Sequence, residues 1–193
     1  MNAFRVKRSA VGLAFAIGLN FAGWQGVLAQ AEPPTPEHVK ELYFDAARAG
    51  RIDLLDGLIT AGIGPDVRDP HGYTALILAA YNGQLEAVDV LIAEGADPCA
   101  TDPDGNTALM GVAFRGENKV VERLLSERCD INATNNAGQT ALMMAALFGR
   151  TQTVKLLMAH GVNAAVQDDS GNTAASLAKR QGNAEMVTLL GGG

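Results

Sequence analysis

The feature that most constrains this chain is a 33-residue period. Gly72, Gly105, Gly138 and Gly171 are spaced by 33, as are Thr74, Thr107, Thr140 and Thr173. Gly50, Gly83, Gly116, Gly149 and Gly182 form a third column, and Leu58, Leu91, Leu124, Leu157 and Leu190 a fourth. Recurrence in independent columns, with no insertion between them, argues against one irregular core. A period of this length means an array of supersecondary units, each unable to bury its own apolar face and each covered by its neighbours. The units run over about 37–68, 69–101, 102–134, 135–167 and 168–190.

Each unit predicts two short helices. In Asp69-Pro70-His71-Gly72-Tyr73-Thr74, Gly72 takes a left-handed turn position and the Thr74 hydroxyl can cap a helix N-terminus. A helix follows over Ala75 to Tyr81, with Leu76, Ala79 and Ala80 on one face, and Gly83 breaks it. A second helix, about Leu85 to Ala93, carries Leu85, Val88, Leu91 and Ile92 at helical spacing and ends at Gly95, a left-handed C-cap. Asp69, Asp102 and Asp168, with Asn135 in the same column, read as turn residues whose side chains accept from nearby backbone N–H groups. Composition agrees: 32 Ala and only 5% aromatic residues suit closely packed helices better than a sheet sandwich. The fold class is all-α, a solenoid of about five helix–turn–helix units joined by β-turn or hairpin loops.

The first residues have a different character. Arg5, Lys7 and Arg8 precede an apolar run from Ala10 to Trp24, and Val27-Leu28-Ala29 follows with small residues at cleavage positions. This is the pattern of a secretory signal peptide over 1–29, with cleavage after Ala29 or, alternatively, after Ala31. The run is shorter than the ~20 residues that span a bilayer, so no stable membrane span is expected once the signal is removed. Residues 30–36, with Pro33, Pro34 and Pro36, read as an extended linker before a repeat domain over 37–193. The whole chain has a net charge of −6; without the signal it keeps 12 cations against 21 acids, a net −9. That balance argues against nucleic-acid binding, which rests on Lys and Arg contacts. It favours a protein partner with a basic patch.

The turn, helix and cap residues together resemble the ankyrin repeat. The pattern D-x-x-G-x-T-x-L, A-A-x-x-G, V-x-x-L-L and G-A-D stands here as Asp69…Gly72…Thr74…Leu76, Ala79-Ala80…Gly83, Val88…Leu91 and Gly95-Ala96-Asp97. The resemblance covers 37–190 and is to exported bacterial members of that family. The family's Thr-Pro-Leu-His is Thr-Ala-Leu-Ile, Thr-Ala-Leu-Met, Thr-Ala-Leu-Met and Thr-Ala-Ala-Ser here, so Ile77, Met110 and Met143 must replace a polar tie by apolar packing. Arg128 stands where the third unit should have its C-cap Gly, at a cost of about 1 kcal/mol if the left-handed conformation is kept.

The sequence carries no signature of catalysis. No phosphate-binding Gly motif or H-E-x-x-H occurs, the three His are scattered, and the acidic turn tips do not promise the converging oxygens a calcium loop needs. No catalytic residue, metal site or cofactor is assigned. Cys99 and Cys129 enter the turn regions of adjacent repeats. A bridge closing about 30 residues would contribute roughly 3–4 kcal/mol, while two separately buried small residues is the equal alternative.

The resemblance implies a concave surface, formed by turn tips and the exposed side of each first helix, where protein partners dock. Carried over to this chain, that surface holds His71, Tyr73, Tyr81, Asn82, Asp104, Asn106, Phe114, Arg115, Leu147, Phe148 and Arg180. Aromatic residues and Arg are enriched at interaction hot spots. The expected function is an exported, non-catalytic, monomeric scaffold, periplasmic or secreted, serving as accessory to a periplasmic enzyme. An inhibitor or immunity-type protein, or a host-directed effector, would use the same surface.

Overall fold

A computed structural model describes residues 35–191. The segment expected to be a signal peptide, 1–29, and most of the expected linker lie outside the described residues. Ten helices follow in five pairs: α1 Pro36–Ala49 with α2 Ile52–Thr60, α3 Ala75–Tyr81 with α4 Leu85–Ala93, α5 Ala108–Arg115 with α6 Asn118–Leu125, α7 Ala141–Leu147 with α8 Thr151–Ala159, and α9 Ala174–Arg180 with α10 Ala184–Leu189. The linker boundary moves by a residue, because Thr35 caps α1 through its side chain and Pro36 opens the helix, where a residue without an N–H loses nothing.

The capping Thr column works as its chemistry requires. Thr74, Thr107, Thr140 and Thr173 are extended, and each hydroxyl accepts from the amide three residues on, at 3.2–3.3 Å. In the last repeat Ser176 returns the bond to the Thr173 amide at 2.9 Å. The next residues are buried Ala, so the first helices approach closely. They form one packed row, α1 through α9, and the second helices form a looser row beside it. Ile77, Met110 and Met143 are buried in the first row, supplying the apolar packing expected of them. The buried core divides within the third repeat: Ala108 and Val112 of α5 belong with the preceding repeats and Met110 and Ala113 with the following ones, while the partly buried Leu109 and Leu125 pack against both.

Between repeats the chain makes tight turns without extended strands among the described residues. Isolated bridges join Arg68 to Thr74 and Thr101 to Thr107. Neighbouring tips are tied by Asn136 N–H to Asp104 C=O at 2.9 Å and Asp169 N–H to Ala137 C=O at 3.1 Å. Asp69, Asp102, Asn135 and Asp168 each take two amide N–H groups on one side-chain oxygen at 2.8–3.0 Å.

The third repeat departs from its neighbours at the C-terminus of its second helix. Gly62, Gly95 and Gly161 have positive φ, and the next amide bonds back to the helix, as Ala96 N–H does to Leu91 C=O. Arg128 does not keep the left-handed conformation; every positive φ among the described residues belongs to Gly. The reason is the steric cost of a Cβ there. The turn relaxes instead. Arg123 then gathers Asp89 of the preceding repeat, Ser126 and Glu127, and Cys129 is bonded to Cys99 with Cα atoms 5.4 Å apart. A covalent tie thus stands beside the helix end that lacks its glycine.

Candidate protein-binding face

The site is built at the C-terminal ends of the first helices. Gly83, Gly116 and Gly149 have φ of +71°, +83° and +67° and stop the chain within two residues of Tyr81, Phe114 and Phe148. No further turn can cover those side chains, so they stay on the surface. There they meet one another. Tyr81 and Phe114 stack with centroids 6.1 Å apart, and Phe148 meets Phe114 edge-on at 4.3 Å. The Arg115 guanidinium lies over Tyr81, 5.3 Å from its centroid. Each such contact contributes about 0.5–1.5 kcal/mol. Phe114 is half-buried between its neighbours, while Tyr81 and Phe148 remain 41% and 44% exposed. An aromatic stripe across three repeats, open to solvent, is surface that a partner would cover.

A groove of about 570 Å³ opens along this stripe. The aromatic Tyr73, Tyr81 and Phe114 line it together with the apolar Ile77, Met110 and Met144. Gly111 also lines the groove, in a column that carries Leu78 in the preceding repeat and Met144 in the next. A Cβ added there would meet only the Tyr81 ring edge, at 3.5 Å.

The polar part of the lining is Arg48, Asn82, Asp102 and Asn106. Arg48 is committed to Asp45 at 2.8 Å and to buried Asp69 at 2.9 Å. Asp102 is also buried, yet no Lys or Arg nitrogen lies within 4.0 Å of it among the described residues. Its Oδ1 takes the amides of Asp104 and Asn106, and its Oδ2 takes only the Asn106 side-chain amide, at 3.1 Å. In the last repeat the Asn172 side-chain amide holds the Asp168 carboxyl below the usual aspartate range, helped by the Asn172 and Ser170 backbone N–H groups and by Arg180.

The eleven expected residues therefore divide. Tyr73, Tyr81, Asn82, Asn106 and Phe114 share the groove, and Arg115 and Phe148 flank it through their ring contacts. His71 is exposed but lines a separate groove with α1, near His38 and Glu41. Asp104 is exposed at its turn tip, where its carbonyl serves the neighbouring turn. Leu147 is half-buried against the core of the later repeats and is used for packing. Arg180 lies at the far end, 3.5 Å from Asn172 Oδ1. Arg48, Asp102 and Gly111 were not expected at the site. Aligning the repeats could have found Arg48, since Arg48, Tyr81, Phe114, Leu147 and Arg180 form one column.

Among the described residues, no three His, Cys, Asp or Glu side chains converge as metal ligands, and no helix is long and apolar enough to cross a membrane. A family model described as "Ankyrin repeats (3 copies)" matches residues 43–135 and 109–192. No curated protein matches the chain.

Proposed function

The chain belongs to the ankyrin-repeat family, and from that premise we propose that it is an exported, non-catalytic scaffold holding a protein partner on the concave face of its solenoid, as accessory to a periplasmic enzyme. Proteins of this family are typically binding scaffolds. The observation that carries the reading is the stripe Tyr81–Phe114–Phe148, three rings in mutual contact with the outer two exposed. Packing within the solenoid does not require bulk at these helix ends. The net −9 of the chain beyond residue 29 supports a partner with a basic patch. The signal-peptide pattern over 1–29 supports export, with the linker and the repeat domain as the mature protein.

The test compares affinity capture from an envelope fraction by wild type and by a variant carrying Tyr81→Ala, Phe114→Ala and Phe148→Ala. Lost capture with retained helicity and a cooperative, modestly lowered melting transition is the expected result. Unchanged capture, or a collapse of folding in the variant, counts against a binding stripe. N-terminal sequencing of the exported protein checks the address: a start at Gln30 is expected, and retention of Met1 would refute processing.

A further inference from the structure

We propose that the groove lined by Tyr81 and Phe114 receives an arginine side chain from an extended segment of the partner, with Asp102 as its counter-ion. The proposal rests on the concave-face reading above and specifies what that face recognises. Its template lies inside the molecule. In the first repeat the helix-end column holds Arg48, whose guanidinium pairs with the buried turn carboxylate Asp69. One repeat on, the same column holds Tyr81 and the same turn position Asp102. The carboxylate is repeated and its cation is not. The Asn106 side-chain amide meets both oxygens, at 3.3 and 3.1 Å, which satisfies hydrogen bonding but brings no positive charge. Asp102 lines the same groove as the aromatic rings.

Arginine fits this site better than lysine. A planar guanidinium stacks on ring faces, tolerates partial desolvation and pairs with a carboxylate in a fixed plane. The nearby guanidiniums do not fill the role: Arg48 is held by Asp45 and Asp69, and Arg115 lies over the Tyr81 ring. Gly111, Met110 and Met144 in the lining offer apolar surface to the stem of the guest.

The experiment pans random displayed peptides on the purified protein with its disulfide intact, then titrates the selected peptides against variants. Asp102→Asn removes the charge at nearly constant shape, and the molecule already contains that arrangement: Asn135 occupies the same turn position and takes the Ala137 and Gln139 amides. Gly111→Leu adds to the groove lining the side chain that Leu78 has one repeat earlier. Expected are peptides enriched in Arg. Arg→Gln in the peptide and Asp102→Asn in the protein should each weaken binding about five- to tenfold, and together no more than either alone. Gly111→Leu should abolish binding while melting remains cooperative.

Selected peptides without Arg enrichment overturn the proposal, as do Arg peptides that bind Asp102→Asn as tightly as wild type, or Lys peptides that bind as well as Arg. If such peptides still lose binding to the triple aromatic variant, the concave-face reading survives and only the arginine assignment fails. If peptides bind the triple aromatic variant as they bind wild type, both fail.

Discussion

Arg48 of α1 reaches across to the second repeat and places its Nη2 2.9 Å from Oδ2 of Asp69, a carboxylate whose side chain is only 2% exposed. The need for this pair follows from the turn. Four residues after the turn residue, the third and fifth repeats carry Asn106 and Asn172, whose side-chain amides donate to Asp102 and Asp168, and the fourth carries Gln139, whose amide oxygen accepts from the Asn135 side chain; the second repeat has Tyr73, whose side chain makes no such bond. Arg48 supplies what Tyr73 lacks. Arg48→Ala should destabilise by about 1–2 kcal/mol, because it leaves a buried carboxylate with backbone donors alone. Adding Tyr73→Asn should recover part of that loss. Urea midpoints of the two single variants and the double variant check the coupling.

The bond between Cys99 and Cys129 closes a separation of 30 residues beside the helix end that lacks its C-cap glycine. Its removal should cost about 3–4 kcal/mol by the chain-entropy estimate. Thermal melts with and without reductant should differ for wild type and coincide for a double Cys→Ser variant. Coincident melts for wild type would show that the bridge adds no stability.

Gly111 sits inside α5, where a glycine costs about 1 kcal/mol relative to Ala. Its φ is not positive, and an added Cβ meets only the Tyr81 ring edge at ordinary contact distance. Gly111→Ala should therefore raise stability by about 1 kcal/mol, measured by urea denaturation.

Asp168 gives a pH dependence. Its carboxyl is held below the usual range in the folded protein, chiefly by the Asn172 amide. A depressed carboxyl stabilises the fold fully above its unfolded pKa, and this contribution disappears as pH falls through the folded value. Asp168→Asn should thus be less stable than wild type at neutral pH. The difference should begin to shrink below about pH 4 and vanish in stronger acid. Urea midpoints across a pH series check it; a difference that persists unchanged in acid would mean that hydrogen-bond geometry, and not charge, accounts for the effect.

Much of the architecture was legible because each repeat must satisfy its backbone locally. Thr107 caps α5 with its own hydroxyl, and Gly116 ends it with a positive φ; both acts involve only near neighbours in the chain, so the residue types report them directly. The buried Ala and Met positions followed from helical spacing. The side of the first helices that carries the aromatic residues was implied by the resemblance to the ankyrin repeat and not by spacing.

The groove was not legible, since it forms between repeats. Leu147 shares the column of Tyr81 and Phe114, but it packs inward, and Phe148 one residue later takes the outer position against Phe114. Asp102 read as a turn residue like Asp69; only the position of Arg48 across the repeat boundary distinguishes their charge environments. Arg128 read as a strained cap, and the turn instead relaxed beside a disulfide.

By itself the sequence determined the period, the helices, their caps and the stacking of five units, because those depend on backbone hydrogen bonds and apolar spacing within one repeat. Tertiary structure alone decided which carboxylate has a cation, which aromatic rings touch, and which side chains line one groove. Those depend on side chains about a repeat apart in the chain, brought together only when neighbouring units pack.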